Sequence, residues 1–396
     1  MTSRLEARPE PPVLATPLHV GAPNMGPWHE FSGLAKEIFR RRWLTNRGPL
    51  VIELEQKLQA YLEVEHVVLC ANGTLALELA AQAAGLSGEV IVPSFTFIAS
   101  AHALQWQGLK PVFCDIDPLT YNIDPEAIEA LITPATRAIL GVHLYGRPCE
   151  IERLQQIADR HGLSLLFDAA HAFGCRYQGK PIGGNGLCEV FSFHATKVFN
   201  TFEGGAVATN DAGLAEKVRL LQNFGFQAED HVIALGINGK MPEINAAMGL
   251  VNLEHLDSFV TVNRGHYGVY AQQLKLLPGI RLIDYPTNNA NNYHYIIIDI
   301  DAAEFGASRD QLRDYLREHN VLARRYFTPG CHRMAPYADG GPWHLPHTEA
   351  VCERLLALPN GTQLSAAMVQ YICDLIRHCP RQQPGVGQLL AEAGRW

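Results

Sequence analysis

A chain of 396 residues has room for two or three domains of about 100–200 residues each and for a large buried core. Apolar residues at 47% and charged residues at 18% exclude disordered, collagen-like and coiled-coil classes. Thirty-two Lys and Arg stand against 40 Asp and Glu, a net charge of −8 with no basic cluster. That argues against nucleic acid as a partner, so an anionic ligand has to be held by local groups.

In chain order, the stretch Met1 to Leu18 carries Arg4, Glu6, Arg8 and Glu10 among prolines and has no apolar signal-peptide core. From Val67 to Asn210 short apolar runs alternate with longer helical stretches. Strands are predicted at His66–Cys70, Glu89–Pro93, Pro111–Asp115, Arg137–Val142, Leu163–Phe167, Glu189–Phe193 and Ala206–Thr209. Helices are predicted at Thr74–Ala84, Ile98–Gln107, Pro125–Leu131 and Ile151–His161. This alternation, with strands apolar throughout, predicts a mostly parallel sheet covered on both faces. A helix over Leu214–Asn223 follows, and then Pro242 opens an apolar-periodic stretch that reads as one connecting helix ending at Pro278-Gly279. Beyond it a strand is expected at Tyr293–Ile300, a helix over Ser308–Glu318 capped by Ser308, and a last helix at Ala366–His378. The expected division is therefore 1–240 for an N-terminal segment and large α/β domain, 241–278 for the connecting helix, and 279–396 for a small α+β domain ending in a tail. Nine scattered cysteines without a CxxC pair read as reduced structural thiols, and no run of about 18 apolar residues offers a membrane span. A cytoplasmic protein is expected.

Ligands of open α/β sheets sit at the carboxyl ends of strands, and three such ends carry chemistry. Leu166-Phe167-Asp168-Ala169-Ala170-His171 delivers an acid from an apolar strand, where a carboxylate is costly unless donors meet it. Val190-Phe191-Ser192-Phe193-His194-Ala195-Thr196-Lys197 brings a lysine into an aromatic neighbourhood, where loss of water favours the neutral, nucleophilic amine. Cys70-Ala71-Asn72-Gly73-Thr74 turns a strand into a helix whose first amides suit an anion. Alone, each also reads as an ordinary feature: a helix cap, a surface lysine, a plain turn. Together they are the parts that pyridoxal phosphate requires.

Those segments, with Arg42–Pro49, Val92–Phe97, Glu203-Gly204-Gly205 and Asn238-Gly239-Lys240-Met241, resemble the DegT/DnrJ/EryC1/StrS sugar aminotransferases over nearly the whole chain. That family is a branch of the fold-type I, aspartate aminotransferase-like enzymes that use pyridoxal 5'-phosphate. The resemblance implies that Lys197 joins the cofactor covalently and then acts as general base, and that Asp168 pairs with the ring nitrogen. It implies that Phe97 stacks on the ring face, that Gly73, Thr74 and Ser192 cradle the phosphate, and that His171 lies near the ring hydroxyl. Asn238 matches a residue supplied by the second subunit of a homodimer with shared active sites.

Two positions depart from the commoner family pattern: His171 stands where many members have glutamine, and Lys240 where many have arginine. The implied reaction is transamination of a nucleotide-linked keto-deoxy sugar, a dTDP-4-keto-6-deoxyhexose by the look of Phe191–Glu203, with L-glutamate as amino donor. Lys240, Tyr326 and His332 are candidate substrate contacts. His143 and Tyr145 are expected to border the crevice, and the loop Arg324 to Asp339, with Tyr337, to close over substrate or to join the domains. Alternatives are a cyclitol or other ketone of antibiotic assembly as acceptor, or a non-catalytic cofactor-binding regulator. Sugar dehydration is disfavoured because the dehydratase relatives carry histidine in place of the lysine. No metal-ligand spacing appears, so no metal is expected.

Overall fold

The computed structural model describes residues 12–286 and 289–381. All seven apolar runs of the large domain become strands of one sheet. Across it they run in the order His66–Cys70, Gly205–Thr209, Cys188–Ser192, Ser164–Asp168, Thr136–Val142, Glu89–Pro93 and Lys110–Cys114. Only Gly205–Thr209 is antiparallel to its neighbours. Several boundaries slide by one residue from the sequence expectation, as with Ser164–Asp168, which takes Asp168 into the strand itself.

Strand alternation feeds two cores, one on each side of the sheet. Val67 and Leu69 pack with the helices Trp28–Arg41, Pro49–Leu62, Ile151–His161 and Glu243–Glu254 on one face. Val68 and Cys70 pack with Gly73–Ala83, Ala99–Trp106 and Ala212–Leu221 on the other. Burial on both faces is why these strands read as unbroken apolar runs.

The expected single helix from Pro242 to Leu277 is two helices, Glu243–Glu254 and Leu256–Leu274, broken at His255 (φ −103°, ψ 2°). The first half lies on the large core, where Gly249 faces Leu54 so closely that a Cβ would stand 2.5 Å from it. The second half buries Tyr270 and Leu274 in the core of the smaller region. Two packing surfaces with different directions require the break, which a continuous apolar periodicity does not reveal.

The smaller region is an antiparallel sheet of Ile280–Leu282, Ile296–Ile300 and Leu355–Leu358, covered by Arg309–Glu318 and Ala366–His378. Ser308 caps its helix in a capping box with Gln311, which ties down two otherwise unpaired backbone donors. The expected strand at Tyr293 starts only at Ile296, because Tyr293 takes a left-handed φ of 50° and the preceding asparagines bond to the large domain. Leu18–His19 pairs with Val321–Leu322, so the N-terminal segment also touches the smaller region. The expected C-terminal tail falls outside the described residues, apart from its first few positions.

Candidate active site

Asp168 ends its strand between Val142 and Val190 on the neighbouring strands and is buried. Its carboxylate accepts from the Ser100 hydroxyl at 2.7 Å and from the Ala170 backbone N–H at 3.0 Å. Thr96 touches Ser100 at 3.0 Å, forming a short hydroxyl relay behind the acid. These donors offset the cost of burying a carboxylate.

Lys197 follows the next strand through a turn closed by its own N–H on the His194 carbonyl at 2.9 Å. Loss of water pushes its amine down to about 8, against the opposing pull of Asp168. Its Nζ donates to the Tyr295 hydroxyl at 3.3 Å. The turn rests on the packed rings of Phe173, Phe191, Phe193 and Phe199, with neighbouring centroids as close as 4.5 Å.

His171 is buried, and burial, with Lys197 and His294 nearby, holds its ring well below the ordinary histidine range. The Tyr145 N–H donates to its Nδ1 at 3.2 Å, which leaves the proton of the neutral ring on Nε2. The ring lies parallel to Tyr145 and Phe327 and 4.3 Å from Tyr295. Phe97 is 56% exposed and stands 6.2 Å from Phe327, which connects it through His171 and Tyr295 to Lys197.

The anion cradle forms where Cys70 pairs with Gly205, and Gly205 with Ser192. Asn72 caps Gly73–Ala83 by accepting the Leu75 N–H at 2.8 Å, which leaves the N–H groups of Gly73 and Thr74 at the helix start. A Cβ on Gly73 would stand 2.8 Å from the Ser192 Cβ, and one on Gly205 would stand 2.6 Å from the Asn72 carbonyl carbon. Only glycine lets these three segments close around so small a space.

Asn238-Gly239-Lys240 runs antiparallel beside Cys70, with the Ala71 N–H on the Gly239 carbonyl at 2.7 Å. Asn238 is exposed, and the Lys240 Nζ sits 4.8 Å above the Phe224 ring. Lys240 also borders a separate cavity of about 190 Å³ with Arg47, Glu55 and Arg219.

Other expected contacts find different partners. His143 is fully buried, stacked on Phe167, and its Nε2 meets Glu189 at 2.8 Å. It therefore lies beneath the crevice and does not border it. His332 is a further correction: it is 3% exposed, with Nδ1 on the Ser94 hydroxyl at 2.7 Å and Nε2 on Glu349 at 3.4 Å. Both ring nitrogens are occupied by the protein, so neither faces a substrate. Tyr337 bonds to His102, which makes this part of the loop a contact between domains. Tyr326 stays at the crevice, where its carbonyl accepts from the Tyr145 hydroxyl. Sequence reasoning missed Ser100, Thr96, His294, Tyr295 and Phe327. Of these, Thr96, inside the Val92–Phe97 segment, and Ser100, three residues past Phe97 and in the first turn of a helix, had a local signal.

Among the described residues no group of three or more His, Cys, Asp or Glu could hold a metal, and no helix is long and apolar enough to cross a membrane. A family model described as the DegT/DnrJ/EryC1/StrS aminotransferase family matches residues 29–377. A dTDP-4-amino-4,6-dideoxy-D-glucose transaminase from Shigella dysenteriae is 42% identical over 362 residues, 91% of this chain and 98% of the relative. The structure of DesI, solved in the presence of its TDP-sugar product, superposes with a TM-score of 0.90 at 44% identity, covering 98% of this chain and 97% of DesI. DesV from S. venezuelae, solved in complex with a ketimine intermediate, gives a TM-score of 0.83 at 32% identity over 90% of this chain and 98% of DesV. The chain belongs to the DegT/DnrJ/EryC1/StrS aminotransferase family and is an enzyme whose family implies a pyridoxal or pyridoxamine phosphate cofactor.

Proposed function

We propose that this aminotransferase moves an amino group from L-glutamate to C4 of a dTDP-4-keto-6-deoxyhexose, with pyridoxal phosphate held between Lys197, Asp168 and the Gly73-Thr74-Ser192 cradle. One observation carries the reading: a lysine with its amine pushed down to about 8 stands near a hydrogen-bonded aspartate at the end of an adjacent strand. The choice of sugar rests on the Shigella relative and on DesI.

The cradle suits a phosphate because its space is one that a Cβ on Gly73 would fill and its amides open a helix of 11 residues. Bound there, pyridoxal phosphate supplies an electron sink for the charge left on the donor carbon. Lys197, whose amine burial pushes down to about 8 and so within reach of its neutral form, would take the proton from the donor α-carbon and later deliver one to the acceptor carbon. Asp168, oriented by Ser100 and Ala170, would be the group that keeps a proton on the ring nitrogen. His171 would offer its Nε2 proton to the ring hydroxyl. Phe97 would cover one ring face, and the aromatic wall of Phe327, Tyr145 and Tyr295 would keep bulk water away.

The active unit is a homodimer. Asn238 is exposed beside Ile233, Leu235 and Ile237, of which Leu235 is 86% exposed, and this apolar rim suits an isologous partner. Across that interface Asn238 and Lys240 would reach the phosphate end of the partner's site. Nine unpaired, buried cysteines support a reducing, cytoplasmic setting.

The test loads the protein with pyridoxamine phosphate and offers a panel of keto-sugar nucleotides, with products identified by NMR. A dTDP-sugar aminated at C4 is expected. Amination at C3, or turnover of a cyclitol ketone alone, would overturn the substrate assignment, and no amine transfer to any ketone would overturn the reading as a whole. Mixing Lys197→Ala chains with Asn238→Asp chains tests the shared site: each homodimer should be inactive, and mixed dimers should regain up to about half of the wild-type activity per dimer. No rescue in verified heterodimers would exclude it.

A further inference from the structure

Two consecutive residues of one segment grip two consecutive residues of another. The His294 Nε2 donates to the Thr196 carbonyl at 2.8 Å, and the Tyr295 hydroxyl accepts from the Lys197 amine at 3.3 Å. The lysine is thus held at both ends, by its backbone and by its nitrogen. The gripping segment is itself fixed from both sides. Asn292 donates to the His171 and Phe173 carbonyls at 2.9 Å each, and the Tyr285 hydroxyl donates to the Tyr295 carbonyl at 2.5 Å. One residue later the chain enters Ile296–Ile300, the central strand of the small sheet.

We propose that Tyr295 is a positioning residue for Lys197, its hydroxyl holding the amine in place while His294 fixes the turn that carries it. The proposal rests on the catalytic reading of Lys197 but not on the identity of the sugar. A phenol this deeply buried stays protonated, because burial and neighbouring tyrosines push it well above its ordinary value. Its oxygen is therefore a neutral acceptor that favours the ammonium over the free amine, since hydrogen bonds to ions are about twice as strong as neutral ones. The other titratable groups around the lysine are Asp168, His171 and His294. Asp168 also favours the charged amine, and both histidines, held neutral by burial, add no charge. The titratable groups near Tyr295 itself are Tyr326, Tyr285, Asp168 and Cys175.

Tyr295→Phe keeps the ring and removes the acceptor, and the readout uses protein freed of cofactor. Lys197 is labelled with an amine-specific reagent across a pH series, and the modified peptide is counted by mass spectrometry. Wild type should show a midpoint near 8. The variant's midpoint should fall by about one unit, so that labelling at pH 7 is roughly five-fold faster. The reloaded variant should turn over about ten-fold more slowly with an unchanged KM for the amino donor, because a more reactive but less directed amine serves catalysis worse. A thermal midpoint equal to that of wild type confirms that the fold is intact. An unchanged labelling midpoint in folded variant protein would overturn the proposal, as would an unchanged turnover. If instead the wild-type enzyme transfers no amine to any ketone, the labelling shift still reads out, so failure of the functional reading and failure of this inference remain distinct.

Discussion

Two ionisable clusters lie on and just beyond neighbouring strands of the large sheet, and they differ in how fully the protein satisfies them. Beneath Phe167, Glu189 accepts from His143, from the N–H groups of Gly183 and Asn185, and from the Asn185 side chain, while His143 Nδ1 accepts from Cys149. Both side chains are fully buried, and every polar atom named there has a partner. Around Lys197, by contrast, the amine is pushed down by burial and meets one neutral hydroxyl, and the His294 Nδ1 is buried without a partner. A saturated cluster is structural. One whose donors and acceptors are left unmatched keeps its capacity to bind and to move protons, at a cost in stability that the surrounding aromatic core offsets.

The largest expected effect separates the two clusters outright. Lys197→Ala should abolish amine transfer, and borohydride treatment of the loaded wild type should fix the cofactor to the Lys197 peptide. A label on another lysine would break the contrast. Asp168→Asn keeps the Ser100 and Ala170 neighbours but removes the charge, so turnover should fall by roughly 10²–10³-fold while cofactor still binds. A near-normal rate would mean that Asp168 is only a cap. In the saturated cluster the readout changes from rate to stability. Glu189→Ala strands the N–H groups of Gly183, Asn185 and His143 in a buried site and should cost about 3–5 kcal/mol in denaturant unfolding, with turnover per folded molecule within about two-fold of wild type.

Acid sharpens the comparison from the other side. His294, pushed down to about 4, and His171, held well below its ordinary 6.5, resist protonation in the folded state. Between pH 6.5 and about 4 the unfolded chain binds protons that the folded chain refuses. Stability is therefore fully present above 6.5 and declines as pH falls through that window, by up to about 3 kcal/mol for His294 alone. His294→Asn should flatten this slope, measured by urea unfolding at stepped pH. The smallest effect belongs to the cradle: Asn72→Ala frees the Leu75 N–H and should cost about 0.5–2 kcal/mol, with weaker cofactor retention seen by dialysis.

The two clusters also differ in how visible they are along the chain. Asp168 and Lys197 stand at the ends of apolar strands, and their segments carry the family resemblance, so both could be named from local pattern. The partners that tune them could not. Tyr295 lies 98 positions from Lys197, and Ser100 lies 68 from Asp168. His143 and His332 looked equally available as chemistry-bearing histidines, yet each is consumed by a carboxylate or hydroxyl from a distant segment. Nothing in the spacing of a histidine records whether a partner will arrive.

Strand and helix identity, the mostly parallel sheet, the capping of the helices by Asn72 and Ser308, and the lysine and acid at the strand ends were set by the sequence itself, because periodicity, capping and turn chemistry act over a few residues. Tertiary structure alone decided the break at His255, the late start of the strand at Ile296, the burial of His143 and His332, and the hold of His294-Tyr295 on Thr196-Lys197. Each depends on which surfaces meet when segments far apart in the chain pack together. Packing, not local pattern, supplies or withholds the partners of a buried polar group.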